Sequence, residues 1–138
     1  MTTQLSFRIS HTYTDRENGI AIPVVLLHGE QKVRVIAIVD TGATFCLFGR
    51  AVGESLKLDV ETGVCQDFRT AAGPFVAYGH ELTLSTLGIE VDATVYFFAD
   101  EAIRKNVLGR RGWLDRVRLT IVDYEQVLYL APYDSPYQ

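Results

Sequence analysis

Apolar and polar side chains alternate from the start of the chain. Leu5, Phe7, Ile9, His11 and Tyr13 are interleaved with Ser6, Arg8, Ser10 and Thr12, the period of a half-buried strand. Asp15 to Gly19 reads as a turn by composition. Ile20 to Leu27 and Lys32 to Val39 then predict a hairpin about Gly29 and Glu30. Its second arm ends in an unbroken apolar run, Val35 to Val39, expected to be buried on both faces, and delivers Asp40 into a short Gly-containing loop. Phe45 to Phe48 suggests a further strand, and Arg50 to Lys57 one or two helical turns carrying Ala51, Val52 and Leu56 inward.

The middle of the chain predicts a second, longer hairpin. Val64 to Thr70 and Phe75 to Leu87 flank a tip of small residues, Ala71, Ala72, Gly73 and Pro74. A turn at Leu87 and Gly88 leads into a strand from Ile89 to Phe98. Asp100 is placed to cap a short helix over Glu101 to Asn106. Val107, Leu108 and Gly109 follow, then a helical turn from Trp113 to Val117 and terminal strands at Arg118 to Tyr124 and Val127 to Leu130. The pattern is mostly β with one or two short helices, and residues 1–138 read as a single domain without linker or repeat.

Composition narrows the function classes. The chain is 48% hydrophobic and 22% charged with a net charge of −4, which is globular and excludes a uniformly basic nucleic-acid coat. The stretch Arg104 to Arg118 carries six basic residues, Arg104, Lys105, Arg110, Arg111, Arg116 and Arg118, against one acid, Asp115. No aromatic platform interleaves with it, which favours a solvated face over a nucleic-acid site. His11, His28 and His80 show no metal-ligand spacing with each other or with Cys46 and Cys65, so neither a metal nor a cofactor is expected. The two cysteines are too few for a disulfide framework. The longest apolar run, Ile20 to Leu27, contains Pro23 and is far short of a membrane span. The polar first residues lack a signal-peptide core. A soluble, cytoplasmic protein is expected.

Asp40 stands out. A carboxylate at the end of a buried strand is costly unless it is hydrogen-bonded or shares a proton. Thr41 and Thr44 offer hydroxyls, and Gly42 lets backbone N–H groups approach. On this triplet alone, a turn-capping Asp is the commoner reading.

The surroundings shift that balance. An apolar run ending in Asp40-Thr41-Gly42-Ala43-Thr44 resembles the active-site motif of aspartic proteases. Val107-Leu108-Gly109 resembles that family's second element, two apolar residues and a glycine ahead of a short helix. The hairpin tip from Ala71 to Phe75 lies between them, where the family has its flap. In this order over residues 33–130, the chain resembles a single-domain retropepsin, most closely the soluble retropepsin-like proteases of bacteria.

The resemblance implies an acid-protease half, a closed β-barrel with a flap hairpin. It also implies peptide hydrolysis by water on a pair of carboxylates that share one proton. The motif occurs once, since Glu61-Thr62-Gly63 lies in a polar stretch and reads as a turn. A second copy of the chain must then supply the other Asp40 across a two-fold axis. The implied substrate is an extended peptide cut between apolar residues, with Thr41 anchoring the loop to the partner and Gly42 lining the cleft. The alternative is a catalytically silent peptide-binding or dimerisation module of the same fold.

Several residues keep two readings. The hairpin tip could be a plain surface turn with Phe75 in the core. Cys46 could be a redox switch or a buried thiol. Trp113, Tyr124, Tyr129, Tyr133 and Tyr137 suit packing or a dimer interface, and Val127 to Leu130 is a candidate strand for pairing between copies. Viral members pair an arginine after the second glycine with an acid four residues past the catalytic Asp. Here Arg110 faces Thr44 in that pattern and needs another partner. Ala43 offers no hydroxyl to the carboxylate, which moves the expected optimum toward mild acidity.

Overall fold

Hairpins build most of this molecule, and the turns at Gly29 and at Leu87 and Gly88 lie where short Gly-containing segments interrupt the alternation. A computed structural model describes residues 1–14 and 19–134. The turn expected at Asp15 to Gly19 falls largely outside these residues, as does Tyr137. Strand β1 is Ile9–Thr12, shorter than the alternation from Leu5 suggested. Strands β2 (Ala21–His28) and β3 (Gln31–Val39) form the first hairpin, paired from Ala21 with Ile38 to His28 with Gln31. Strand β4 is Leu47–Phe48, and helix α1 spans Arg50–Ser55. Strands β5 (Val64–Thr70), β6 (Gly73–Thr86) and β7 (Ile89–Phe98) form the long meander. Strand β8 is Val107–Leu108, and β9 (Val117–Val122) and β10 (Val127–Pro132) close the chain.

Seven strands join in the order β2-β3-β8-β4-β7-β6-β5, and β2 also pairs with β6 through Val25 to Leu27. The pairings therefore return on themselves as a barrel, with β5 extending outward from β6. Strand β6 serves both because it is long: its first half pairs with β5 and its end with β2. The β6–β7 turn is tight, with Leu87 and Gly88 at φ 51 and 90°, the left-handed pair that matches strand twist. The alternation reads out directly in β2, where Ile22, Val24 and Leu26 are fully buried. They share one core with Leu84, Val95, Phe97, Leu108 and Trp113, and with Leu128 and Leu130 of the second sheet.

That second sheet corrects one expectation. Strand β10 lies between β1 and β9, so the 127–130 strand has both edges occupied within its own chain. The one-sided strands of this sheet, among the described residues, are β1 and β9.

Three more expectations change. The run Val35 to Val39 is not buried on both faces, because Ile36 is 49% exposed. In α1 the buried residue is Gly53, while Ala51 faces solvent. A Cβ at Gly53 would stand 3.0 Å from the Phe97 ring, so the helix sits too close to β7 for a larger side chain there. Glu101 to Asn106 forms no helix. Asp100 accepts from Ala102 N–H at 2.9 Å in a single turn, after which the chain extends to place Asn106. Its Oδ1 accepts from Gly49 N–H at 3.1 Å and its Nδ2 donates to the Ile36 carbonyl at 3.2 Å. That bridge ties Asn106 to β3 and to the start of α1. No helix among the described residues is long and apolar enough to cross a membrane.

Candidate active site

Strand β3 carries Asp40 to the edge of β8. Ile38 and Val39 pair in parallel with Val107 and Leu108, and Asp40 N–H donates to the Leu108 carbonyl at 3.0 Å. The chain then turns sharply: Gly42 N–H donates to Asp40 Oδ1 at 2.8 Å, and Ala43 N–H to the Asp40 carbonyl at 3.2 Å. The carboxylate is thus oriented by its own loop.

The segment after β8 locks that loop from the other side. Arg110 and Arg111 N–H donate to the carbonyls of Ala43 and Thr44, both at 2.8 Å, and Phe45 bridges in parallel to Arg111. Close approach requires Gly109. A Cβ there would stand 2.2 Å from the Phe45 carbonyl oxygen and 2.7 Å from that of Ala43. The structure therefore brings together Asp40-Thr41-Gly42-Ala43-Thr44 and Val107-Leu108-Gly109, distant in sequence. A one-turn helix at Leu114–Arg116 follows, as expected.

Asp40 itself is exposed in the single chain, as are Thr41, Gly42 and Thr44. The desolvation cost expected from a buried strand end does not arise within one copy, because β3 ends at the surface. Beside this loop lies a cleft of about 520 Å³ lined by Thr41, Thr44, Arg110, Arg111, Leu114 and Asp115. A second cleft, about 390 Å³, lies on the β6–β7 hairpin and includes no residue of the Asp40 loop.

The β5–β6 hairpin turns at Ala71 and Ala72; Gly73, Pro74 and Phe75 already belong to β6. Thr70 Oγ1 accepts from Ala72 N–H at 3.2 Å and donates to the Gly73 carbonyl at 2.9 Å. Phe75 is packed as well as placed on the hairpin. It stacks on Phe68 across the strands, with centroids 4.9 Å apart and planes at 8°, and it meets Phe98 at 5.2 Å. Phe68 in turn touches Phe45 at 5.9 Å and Tyr96 at 5.5 Å. This aromatic cluster joins the hairpin to the Asp40 loop through Phe45. Composition alone gave no sign of it. The register pairing Phe68 with Phe75 was the available signal.

The remaining candidates resolve individually. Cys46 is fully buried, with Sγ 3.8 Å from the Arg111 carbonyl. Burial pushes its thiol up to about 11, the behaviour of an inert packing residue. Trp113 is core: its Nε1 donates to the buried Thr86 hydroxyl at 3.0 Å. Tyr124 and Tyr133 are exposed. Glu61 sits in a short helical turn, and its carboxylate accepts from Arg50 at 2.6 and 2.7 Å. Arg110 has no ion pair among the described residues. Among those residues no cluster of three His, Cys, Asp or Glu side chains could hold a metal ion.

The family model described as aspartyl protease matches residues 23–122, a span containing the Asp40 loop, the β5–β6 hairpin and the Gly109 segment. The fold is similar to that of a retropepsin-like aspartic protease from Rickettsia conorii, at 20% identity and TM-score 0.67, covering 89% of this chain and 97% of that one. It is also similar to EIAV protease in complex with the inhibitor HBY-793, at 17% identity and TM-score 0.54, covering 71% and 88%. No curated protein sequence matches the chain.

Proposed function

We propose a catalytic arrangement for this chain, which belongs to the aspartyl protease family and has the retropepsin-like fold. Two copies face each other across a two-fold axis, and Asp40 forms a dyad with Asp40 of the partner subunit. The supporting observation is the exposure of Asp40 on a loop that its own chain holds rigid from both sides. One carboxylate cannot act as acid and base at once, whereas an isologous pair shares one proton.

The chemistry follows from that sharing. The ionised carboxylate takes a proton from a bound water, whose oxygen attacks the peptide carbonyl carbon. The protonated partner gives its proton to the carbonyl oxygen, yielding a neutral tetrahedral diol. Return of a proton to the amide nitrogen breaks the C–N bond and releases an acid and an amine. Thr41 anchors the loop to the partner, and Gly42 lines the substrate cleft. The β5–β6 hairpin acts as the flap, adding backbone groups to an extended peptide and excluding water. The aromatic cluster of Phe45, Phe68 and Phe75 supports apolar side chains flanking the cut bond.

The test is Asp40→Asn, which is isosteric. It abolishes cleavage of a peptide library while the unfolding curve stays near wild type. Retention of a tenth of the activity refutes the dyad. A wild-type chain that binds peptides and cleaves none supports the alternative, a silent peptide-binding module.

A further inference from the structure

We propose that the cleft beside the Asp40 loop is a substrate subsite for an acidic side chain, with Arg110 and Arg111 as its specificity-determining residues; the inference rests on the peptidase reading above. The cleft of about 520 Å³ holds two guanidinium-bearing residues against one carboxylate. That carboxylate is already committed: Asp115 Oδ1 accepts from Gly112 N–H at 3.0 Å and lies 3.6 Å from Arg116 Nε. Neither Arg110 nor Arg111 has an ion pair among the described residues, and both are exposed.

These cations are not loose surface charges. Their backbone N–H groups are pinned at 2.8 Å to Ala43 and Thr44, three and four residues past Asp40. The Arg111 guanidinium carbon lies 5.8 Å from the Phe45 ring centroid, a cation–π placement. A guanidinium fork carried on a fixed backbone matches a carboxylate with two parallel hydrogen bonds. Thr44 adds a hydroxyl, and Leu114 gives a wall for the methylenes of a glutamate. Because Thr41 directly follows Asp40, the recognised acid lies close to the cut bond, next to the apolar residues that flank it.

The test uses fluorogenic peptides built on whichever library sequence the wild-type protein cleaves. The expected result is enrichment of Glu or Asp at one fixed position, with Glu→Gln there lowering kcat/KM about tenfold. Arg110→Gln and Arg111→Gln bring that Glu/Gln ratio toward one, whereas Lys32→Gln, on the exposed part of β3, keeps it. A wild-type ratio near one overturns the proposal. So does a ratio unchanged in both arginine variants, or a sedimentation result in which Arg110→Glu disperses an assembly while leaving the ratio intact, since the arginines then serve a second copy. A second arm is independent of turnover: anisotropy of the labelled Glu and Gln peptides on Asp40→Asn protein. Tighter binding of the Glu peptide, lost in the arginine variants, supports the subsite independently of any effect on turnover, and equal binding overturns it.

Discussion

Replacing Gly109 by alanine tests how tightly the two halves of the site are fitted. The added Cβ would stand 2.2 Å from the Phe45 carbonyl oxygen and 2.7 Å from that of Ala43. Both obstacles are backbone, so no side chain can rotate away. Relief requires the 109–111 segment to withdraw from the Asp40 loop. That withdrawal loosens the hydrogen bonds from Arg110 and Arg111 to Ala43 and Thr44, each worth about 0.5–1.5 kcal/mol. Residual crowding adds about 1–3 kcal/mol. The expected loss is about 2–6 kcal/mol, a large share of a stability of about 5–15 kcal/mol. Urea unfolding followed by the fluorescence of Trp113, the single and fully buried tryptophan, measures it. Gly29→Ala is the comparator. Its φ is +58° but nothing lies within 4 Å of the added Cβ, so it costs only the left-handed backbone penalty of about 1–2 kcal/mol. A Gly109→Ala protein no less stable than Gly29→Ala would show that the loop contact is not the constraint described.

Further outcomes follow from single groups. At pH 8 a thiol reagent titrates only exposed Cys65 in the native protein and reaches Cys46 on unfolding, because burial pushes the Cys46 thiol up to about 11; rapid labelling of both in the native state contradicts its packing role. Trp113→Phe leaves the buried Thr86 hydroxyl without its donor and costs about 1–3 kcal/mol beyond lost packing. Adding Thr86→Val recovers part of that loss in a circular-dichroism double-mutant cycle, and strict additivity contradicts the bond. The Arg50 hydrogen bond lowers the Glu61 carboxyl below its usual range. A lowered folded value means stability present above the unfolded value of about 4.3 and lost as pH falls through the folded one. The melting temperature of wild type minus Glu61→Gln is therefore positive near neutrality and shrinks in acid; a constant difference contradicts the pairing.

The hairpins were legible because alternation and turn chemistry are local. Gly29 and the pair Leu87–Gly88 fall where the structure turns, and β2, β3, β5, β6 and β7 end within a few residues of their expected limits. The Asp40 and Gly109 motifs were legible as motifs. What failed was whatever depends on cover or on a distant partner. An apolar run cannot say whether anything lies over it, and Ile36 is open. Asp100 began a turn as a cap would, yet Asn106 is drawn into a bridge to Gly49 and Ile36 that no local signal encodes. Val127 to Leu130 is a candidate for pairing between copies by its pattern, yet β1 and β9 already occupy both edges of β10. The arginine-lined cleft exists only because residues 110 and 111 align with 43 and 44.

Mixing experiments bear most directly on the claim that two chains build one catalytic site. Wild-type protein at a fixed concentration is titrated with Asp40→Asn protein, and peptide cleavage is recorded after subunits have exchanged. The account predicts that excess Asp40→Asn silences wild-type chains by trapping them in dimers with one carboxylate. It also predicts that the specific activity of wild type alone rises with concentration to a plateau. Wild-type activity that survives a large excess of the variant, with specific activity independent of dilution in a monomer confirmed by sedimentation, would contradict it.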